Sequence, residues 1–182
     1  MTALDLALLV IRVVLGITFI LHGSQKLFGW FGGGGIQGTA DMMGKLGTAP
    51  AHHVPLAWLS GLSEFGGGLL VLFGFLTPLG AALIIGVMLT AIATVHAKNG
   101  FFNTKGGYEF PLHVIAESVA LILAGAGAAS IDNLLGIAVP VTQLPILVVI
   151  VLILIPFGGS IATDLSRRAN TPPTGVNEKQ TA

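Results

Sequence analysis

The chain contains no cysteine. It can form no disulfide, holds no thiolate nucleophile, and cannot ligate zinc or an iron–sulfur cluster through sulfur. Charge is scarce as well. Asp, Glu, Lys and Arg make up 9% of 182 residues, against about 25% in an ordinary soluble domain. Eight basic residues balance eight acidic ones, so there is no basic field to hold nucleic acid. What remains is apolar: 53% of residues are hydrophobic and the mean hydropathy is +0.90. A soluble fold of this length cannot hide that much apolar surface. A disordered chain needs the opposite composition. The bilayer is the solvent that fits. The 26 glycines are about twice the usual share of roughly 7%, and they suit close helix packing in a membrane.

A spanning helix needs about 20 apolar residues. Five segments qualify: 4–28, 54–75, 78–97, 109–128 and 144–162. Gly74 and Pro78 punctuate an uncharged run too long for one span. Pro145 suits a first helical turn and Pro156 a kink or stop. The expected fold is therefore an all-α polytopic transmembrane bundle. Residues 1–132 form a four-helix core, 133–163 add a further transmembrane helix, and 164–182 read as a mobile polar tail. The first segment lacks a basic n-region and is interrupted by Arg12, so it does not read as a signal peptide.

Lys/Arg bias sets the orientation. With five helices, Lys26, Lys45, Lys98, Lys105, Arg167, Arg168 and Lys179 all fall on one side, and the other side carries none. The expectation is a bacterial inner (plasma) membrane protein with its N-terminus out and its C-terminus cytoplasmic. In the first loop, residues 32–35 are four glycines, able to flex or to approach another backbone. Residues 41–46 suggest a short interfacial helix. Gly33, Gly35 and Gly38 fit G-x-G-x-x-G, but no strand precedes them, as a dinucleotide site requires.

Ionisable groups inside a bilayer cost about 2.5–3.5 kcal/mol each at its centre and face the bundle interior. Asp5, Arg12 and Lys26 share one face of the first helix, and His22 overlaps it. Glu64 lies mid-way along the second helix and His96 ends the third. Glu109, His113 and Glu117 form an i, i+4, i+8 stripe on the fourth. At about 1.5 Å per residue these three fall at roughly 0, 6 and 12 Å depth. His22, Lys26, Glu64, His96, Glu109, His113 and Glu117 are thus expected to converge as a polar pocket in the cytoplasmic half. Arg12 is expected to reach Glu64 as a structural ion pair, and Asp132 to lie alone near the outer surface. Three readings stand: packing ion pairs, a pocket for a polar head group or protons, and a metal site at His96, His113, Glu117 and Glu64. That last set is fewer ligands than a di-iron bundle needs, and bis-histidine haem from His22 and His96 ranks below it. His52 and His53 read as solvated. Ser60, Ser63, Ser118 and Ser160 read as packing or back-bonding hydroxyls.

These residues carry a resemblance. Arg12-x-x-x-Gly16 with the stretch FILHGSQKLFGW at 19–30 resembles the first signature of the DoxX family of small bacterial membrane proteins. Glu64 with Gly66-Gly67-Gly68, Leu72-x-Gly74 and Thr77-Pro78 is similar to the second. Residues 88–96, Phe101, Gly107-Tyr108-Glu109 and GAGAASID at 125–132 resemble the third and fourth. The resemblance covers about 4–132 and implies a four-helix membrane bundle, from which a fifth segment departs. It also implies a respiratory or sulfur-linked redox setting, because a related subunit belongs to a thiosulfate:quinone oxidoreductase. Three functions follow. One is a redox subunit binding quinone near Glu64, His96 and Glu109, with apolar walls and His/Glu proton donors. The second is a non-catalytic scaffold for a soluble redox partner, with the 29–53 loop and the tail as handles. The third is a small transporter or channel, against which no inverted repeat is evident, though homo-oligomerisation could create a pore.

Overall fold

A computed structural model of the chain describes residues 1–137. The expected fifth helix at 144–162 and the tail at 164–182 lie outside the described residues. Among the described residues helix is the only regular structure. Helix α1 (Ala3–Phe28) starts in a capping box. Thr2 Oγ1 accepts from Asp5 N at 3.2 Å while Asp5 Oδ2 accepts from Thr2 N at 2.6 Å. It stops at Gly29 in the left-handed region. Helix α2 (Gly35–Lys45) begins six residues before the short interfacial helix expected at 41–46. Helix α3 (His53–Phe73) and helix α4 (Thr77–Ala91) flank the turn expected at Gly74–Pro78. Beyond Ala91, α4 continues through a wide π turn (Ile92–His96) and a 3-10 turn (Ala97–Asn99). Helix α5 (Glu109–Ala124) and the short α6 (Ile131–Leu134) complete the described chain.

Among the described residues three helical stretches are long and apolar enough to cross a membrane: Ala3–Phe28, Pro50–Phe73 and Thr77–Asn99. The fourth expected span ends early. α5 has 16 residues, not the twenty of 109–128. Gly125 and Gly127 adopt φ of 80° and 77°, which ends the helix. The chain then turns back over the bundle instead of continuing outward.

Lipid tails are as apolar as leucine, so helices associate in a bilayer through close packing and not through hydrophobic expulsion. Glycine supplies that closeness between α1 and α3. The contacts Leu27–Gly61, Gly23–Phe65, Ile20–Gly68 and Gly16–Leu72 pair the two helices antiparallel in a fixed register. A Cβ on Gly68 would lie 2.7 Å from the Ile20 nitrogen and 2.8 Å from the Gly16 carbonyl oxygen, both backbone atoms. Around this seam Leu15 and Phe19 of α1, Val71 of α3, Ile84 of α4 and Leu121 of α5 form the core. Helix α4 packs between α3 and α5, and α2 lies across α1 and α3 at the Lys26 end.

Candidate functional site

The structure divides the buried charge between the two ends of the bundle. Arg12 does not meet Glu64. Its guanidinium, 2% exposed, donates to four carbonyls: Nε to Val71 at 3.0 Å, Nη2 to Leu72 at 3.0 Å, and Nη1 to Ala126 at 2.6 Å and Ala129 at 2.9 Å. The physical reason is register. Position 12 of α1 lies opposite the end of α3, where the last carbonyls lack helical N–H partners and the helix dipole favours a cation. The GAGAASID stretch is the loop this arginine clamps. Gly74 is required beside it, because a Cβ there would lie 2.6 Å from the guanidinium carbon.

Asp132 is not isolated at the surface either. It is 7% exposed and caps α4 from across the chain. Its Oδ1 accepts from Leu76 N at 2.7 Å, and its Oδ2 from Thr77 N and Thr77 Oγ1 at 3.0 Å each. Asp5 Oδ1 holds the same loop by accepting from Ala128 N at 2.9 Å. This end of the bundle is a closed network tying α1, α3, α4 and the 125–132 loop together.

At the other end Lys26 and Glu64 form the one ion pair found among the described residues. Lys26 Nζ lies 2.7 Å from Glu64 Oε1 and 2.8 Å from Ser60 Oγ. Glu64 is 3% exposed, and its Oε2 has no hydrogen-bond partner in the described structure. Lys26 stands on the wall of a cavity of about 130 Å³. Helix α2 roofs the cavity with Met42 and Met43, joined by Leu46 just past its end. Helix α3 contributes Ser60 and Ser63, and α4 contributes Thr90 and, through its π turn, Thr94. π turns recur at functional sites because they re-aim side chains within a helix. The space is about that of a known cavity that holds a benzene ring, ~150 Å³.

Of the seven residues expected to converge, Lys26 lines this cavity and Glu64 is hydrogen-bonded to it. The other five are elsewhere. His22, His113 and Glu117 are exposed on α1 and α5. His96 Nδ1 donates to the Gly106 carbonyl at 2.7 Å, and Glu109 Oε2 accepts from Asn103 N at 2.9 Å. These two therefore organise the turn between α4 and α5. No group of three or more His, Asp or Glu side chains converges as metal ligands among the described residues. Sequence reasoning took Ser60 and Ser63 for packing or back-bonding hydroxyls and passed over Thr90 and Thr94. The i, i+4 spacing of Thr90 and Thr94 was visible, but a helical hydroxyl reads as back-bonding until a cavity is seen beside it.

Comparison with known proteins agrees with the architecture. The DoxX family model matches residues 7–97. The chain is 35% identical over 133 residues to "Inner membrane protein YqjF" of Escherichia coli, covering 72% of this chain and 93% of that protein. It is 30% identical over 128 residues to "Putative oxidoreductase CatD" of Bacillus subtilis, covering 70% of this chain and 86% of the relative. No solved structure matches.

Proposed function

The chain belongs to the DoxX family of membrane proteins, and from that premise we propose that it is a quinone-binding subunit of a membrane redox system. The observation that carries this reading is Lys26: one cationic donor on the wall of an otherwise largely apolar, ring-sized cavity. Small-molecule sites have this character, with apolar walls and a few placed polar groups. Glu64 balances the lysine charge, so the site is close to neutral overall and suits a neutral head group better than an anion. An ammonium has three N–H donors. Two are taken by Ser60 and Glu64, and the third can meet a ligand oxygen. A quinone carries electrons and protons together, and Lys26 with Glu64 forms a proton-bearing pair at its edge. The electrons come from a soluble redox partner at the membrane surface. The relative described as an oxidoreductase supports this setting.

The orientation proposed is that the Lys26 end faces the cytoplasm of a bacterial inner membrane. Lys45, Lys98 and Lys105 flank the membrane at that end, and the described residues at the other end carry no Lys or Arg beyond the buried Arg12.

The test is binding in nanodiscs, with ubiquinone-1 as the probe. Ala91 lines the cavity, so Ala91→Phe should fill it and weaken binding at least tenfold. Leu123→Phe, on the exposed face of α5, should leave binding unchanged. If the wild-type protein binds neither ubiquinone-1 nor its reduced form, the quinone reading is lost and the reading as a membrane scaffold for a soluble redox enzyme takes its place.

A further inference from the structure

The cavity walls differ in hydrogen-bonding sense. On the α1–α3 side the groups can donate. Lys26 keeps a third N–H, and Ser60, whose oxygen accepts from Lys26 at 2.8 Å, keeps its own O–H. On the α4 side the hydroxyl hydrogens are already committed. Thr90 Oγ1 donates to the Gly86 carbonyl at 2.9 Å, and Thr94 Oγ1 donates to the Thr90 carbonyl at 2.8 Å. Each threonine therefore offers the cavity only lone pairs. All four residues line the same space.

We infer that this cavity, if it is the quinone site proposed above, selects the reduced, hydroxyl-bearing form of the ring. An oxidised quinone has only carbonyl acceptors. One can take the Lys26 donor, but the other then faces threonine oxygens that are also acceptors. Turning a threonine hydroxyl toward the ligand would break its bond to the Gly86 or Thr90 carbonyl. A quinol satisfies both walls. Its hydroxyl oxygen accepts from Lys26, and its O–H groups donate to Thr90 or Thr94. A buried polar group without a partner is costly, and one such mismatch corresponds to about tenfold in affinity, or ~1.4 kcal/mol. Tighter binding of the reduced form raises the two-electron midpoint potential of the bound couple by about 30 mV.

The experiment titrates ubiquinone-1 and ubiquinol-1 separately, without oxygen, into the full-length protein in nanodiscs. Wild type should bind ubiquinol-1 about tenfold more tightly. The shape-conserving double variant Thr90→Val/Thr94→Val should lose the preference by weakening ubiquinol-1 binding alone, with helicity by circular dichroism unchanged. If that variant does not fold, the midpoint potential of wild type loaded with ubiquinone-1 decides, and no upward shift overturns the inference. Equal affinities for the two forms overturn it and leave the quinone site standing. So does a preference that survives the double variant. Binding of neither form removes both.

Discussion

Replacing Arg12 should unfold the Asp5 end of the bundle while leaving the Lys26 end energetically untouched. A charge-assisted hydrogen bond contributes about 1.5 kcal/mol at the low end. The four that Arg12 donates, at 2.6 to 3.0 Å, therefore amount to roughly 6 kcal/mol on that scale. Arg12→Met should lose most of this. Arg12→Lys keeps the charge but not the planar fork. It can satisfy about two of the carbonyls and should lose roughly 3 kcal/mol. Reversible SDS unfolding of reconstituted protein, followed by circular dichroism, measures both. The independence of the two ends is the sharper claim. From the α1–α3 register, Arg12 lies about 18 Å along the axis from Glu64 at 1.5 Å per residue. Effects at such a distance should add within about 0.5 kcal/mol. The double-mutant cycle Arg12→Met with Glu64→Gln should thus show no coupling, whereas Lys26→Met with Glu64→Gln should show 1 kcal/mol or more, on the order of coupled contacts. Strong Arg12–Glu64 coupling, or an Arg12→Met protein as stable as wild type, would refute the clamp.

Three further outcomes follow from the same geometry. Gly68→Ala should cost about 1–3 kcal/mol by overpacking, because its Cβ meets backbone atoms of α1 that cannot turn aside; tryptophan-monitored thermal unfolding reads this directly. Asp132→Asn should cost about 1–2 kcal/mol, since one carboxylate oxygen facing the start of α4 becomes an amide donor opposed to N–H groups; a lower melting temperature with unchanged ubiquinone-1 binding is the expected pair of results. A membrane-impermeant amine reagent should label Lys98 and Lys105 in inside-out vesicles and not in intact cells, and labelling in intact cells would invert the proposed orientation.

Composition and periodicity determine the membrane bundle because long apolar runs have few alternatives in 137 described residues. The shared face of Arg12 and Lys26 was equally readable, since a seven-residue multiple returns to one side of a helix. Partner choice was not. Arg12 and Glu64 have opposite charge and lie on adjacent helices, yet register separates them, and register here is set by where glycines let α1 and α3 touch. Nor does depth alone show convergence. His113 and Glu117 occupy the right level of α5 but point away from its buried face, which carries Val114, Ser118 and Leu121. The cavity itself depends on α2 folding back over α3 and on the π turn beyond Ala91. Neither has a strong local signature, because one is a short helix of low hydrophobicity and the other a subtle change in helical winding.

The two charged clusters can be told apart by what each leaves unsatisfied. At the Asp5 end Arg12 commits four of its N–H groups to carbonyls, and both oxygens of Asp132 accept from N–H or O–H groups. A buried network with every member paired rigidifies and specifies a structure. Only one of the five guanidinium N–H groups is left over, and the side chain is 2% exposed. At the Lys26 end the accounting does not close. The ammonium has an unused N–H, Glu64 Oε2 has no partner in the described structure, and a ring-sized space adjoins the lysine. An open valence of this kind is costly in a low-dielectric interior, and a purely structural pair would gain stability from one more hydroxyl or amide at that position. Beside a ring-sized space, the unused Lys26 donor is what a binding site requires. The functional claim therefore rests on the Lys26 cavity, and the conspicuous intramembrane arginine belongs to the scaffold that holds it.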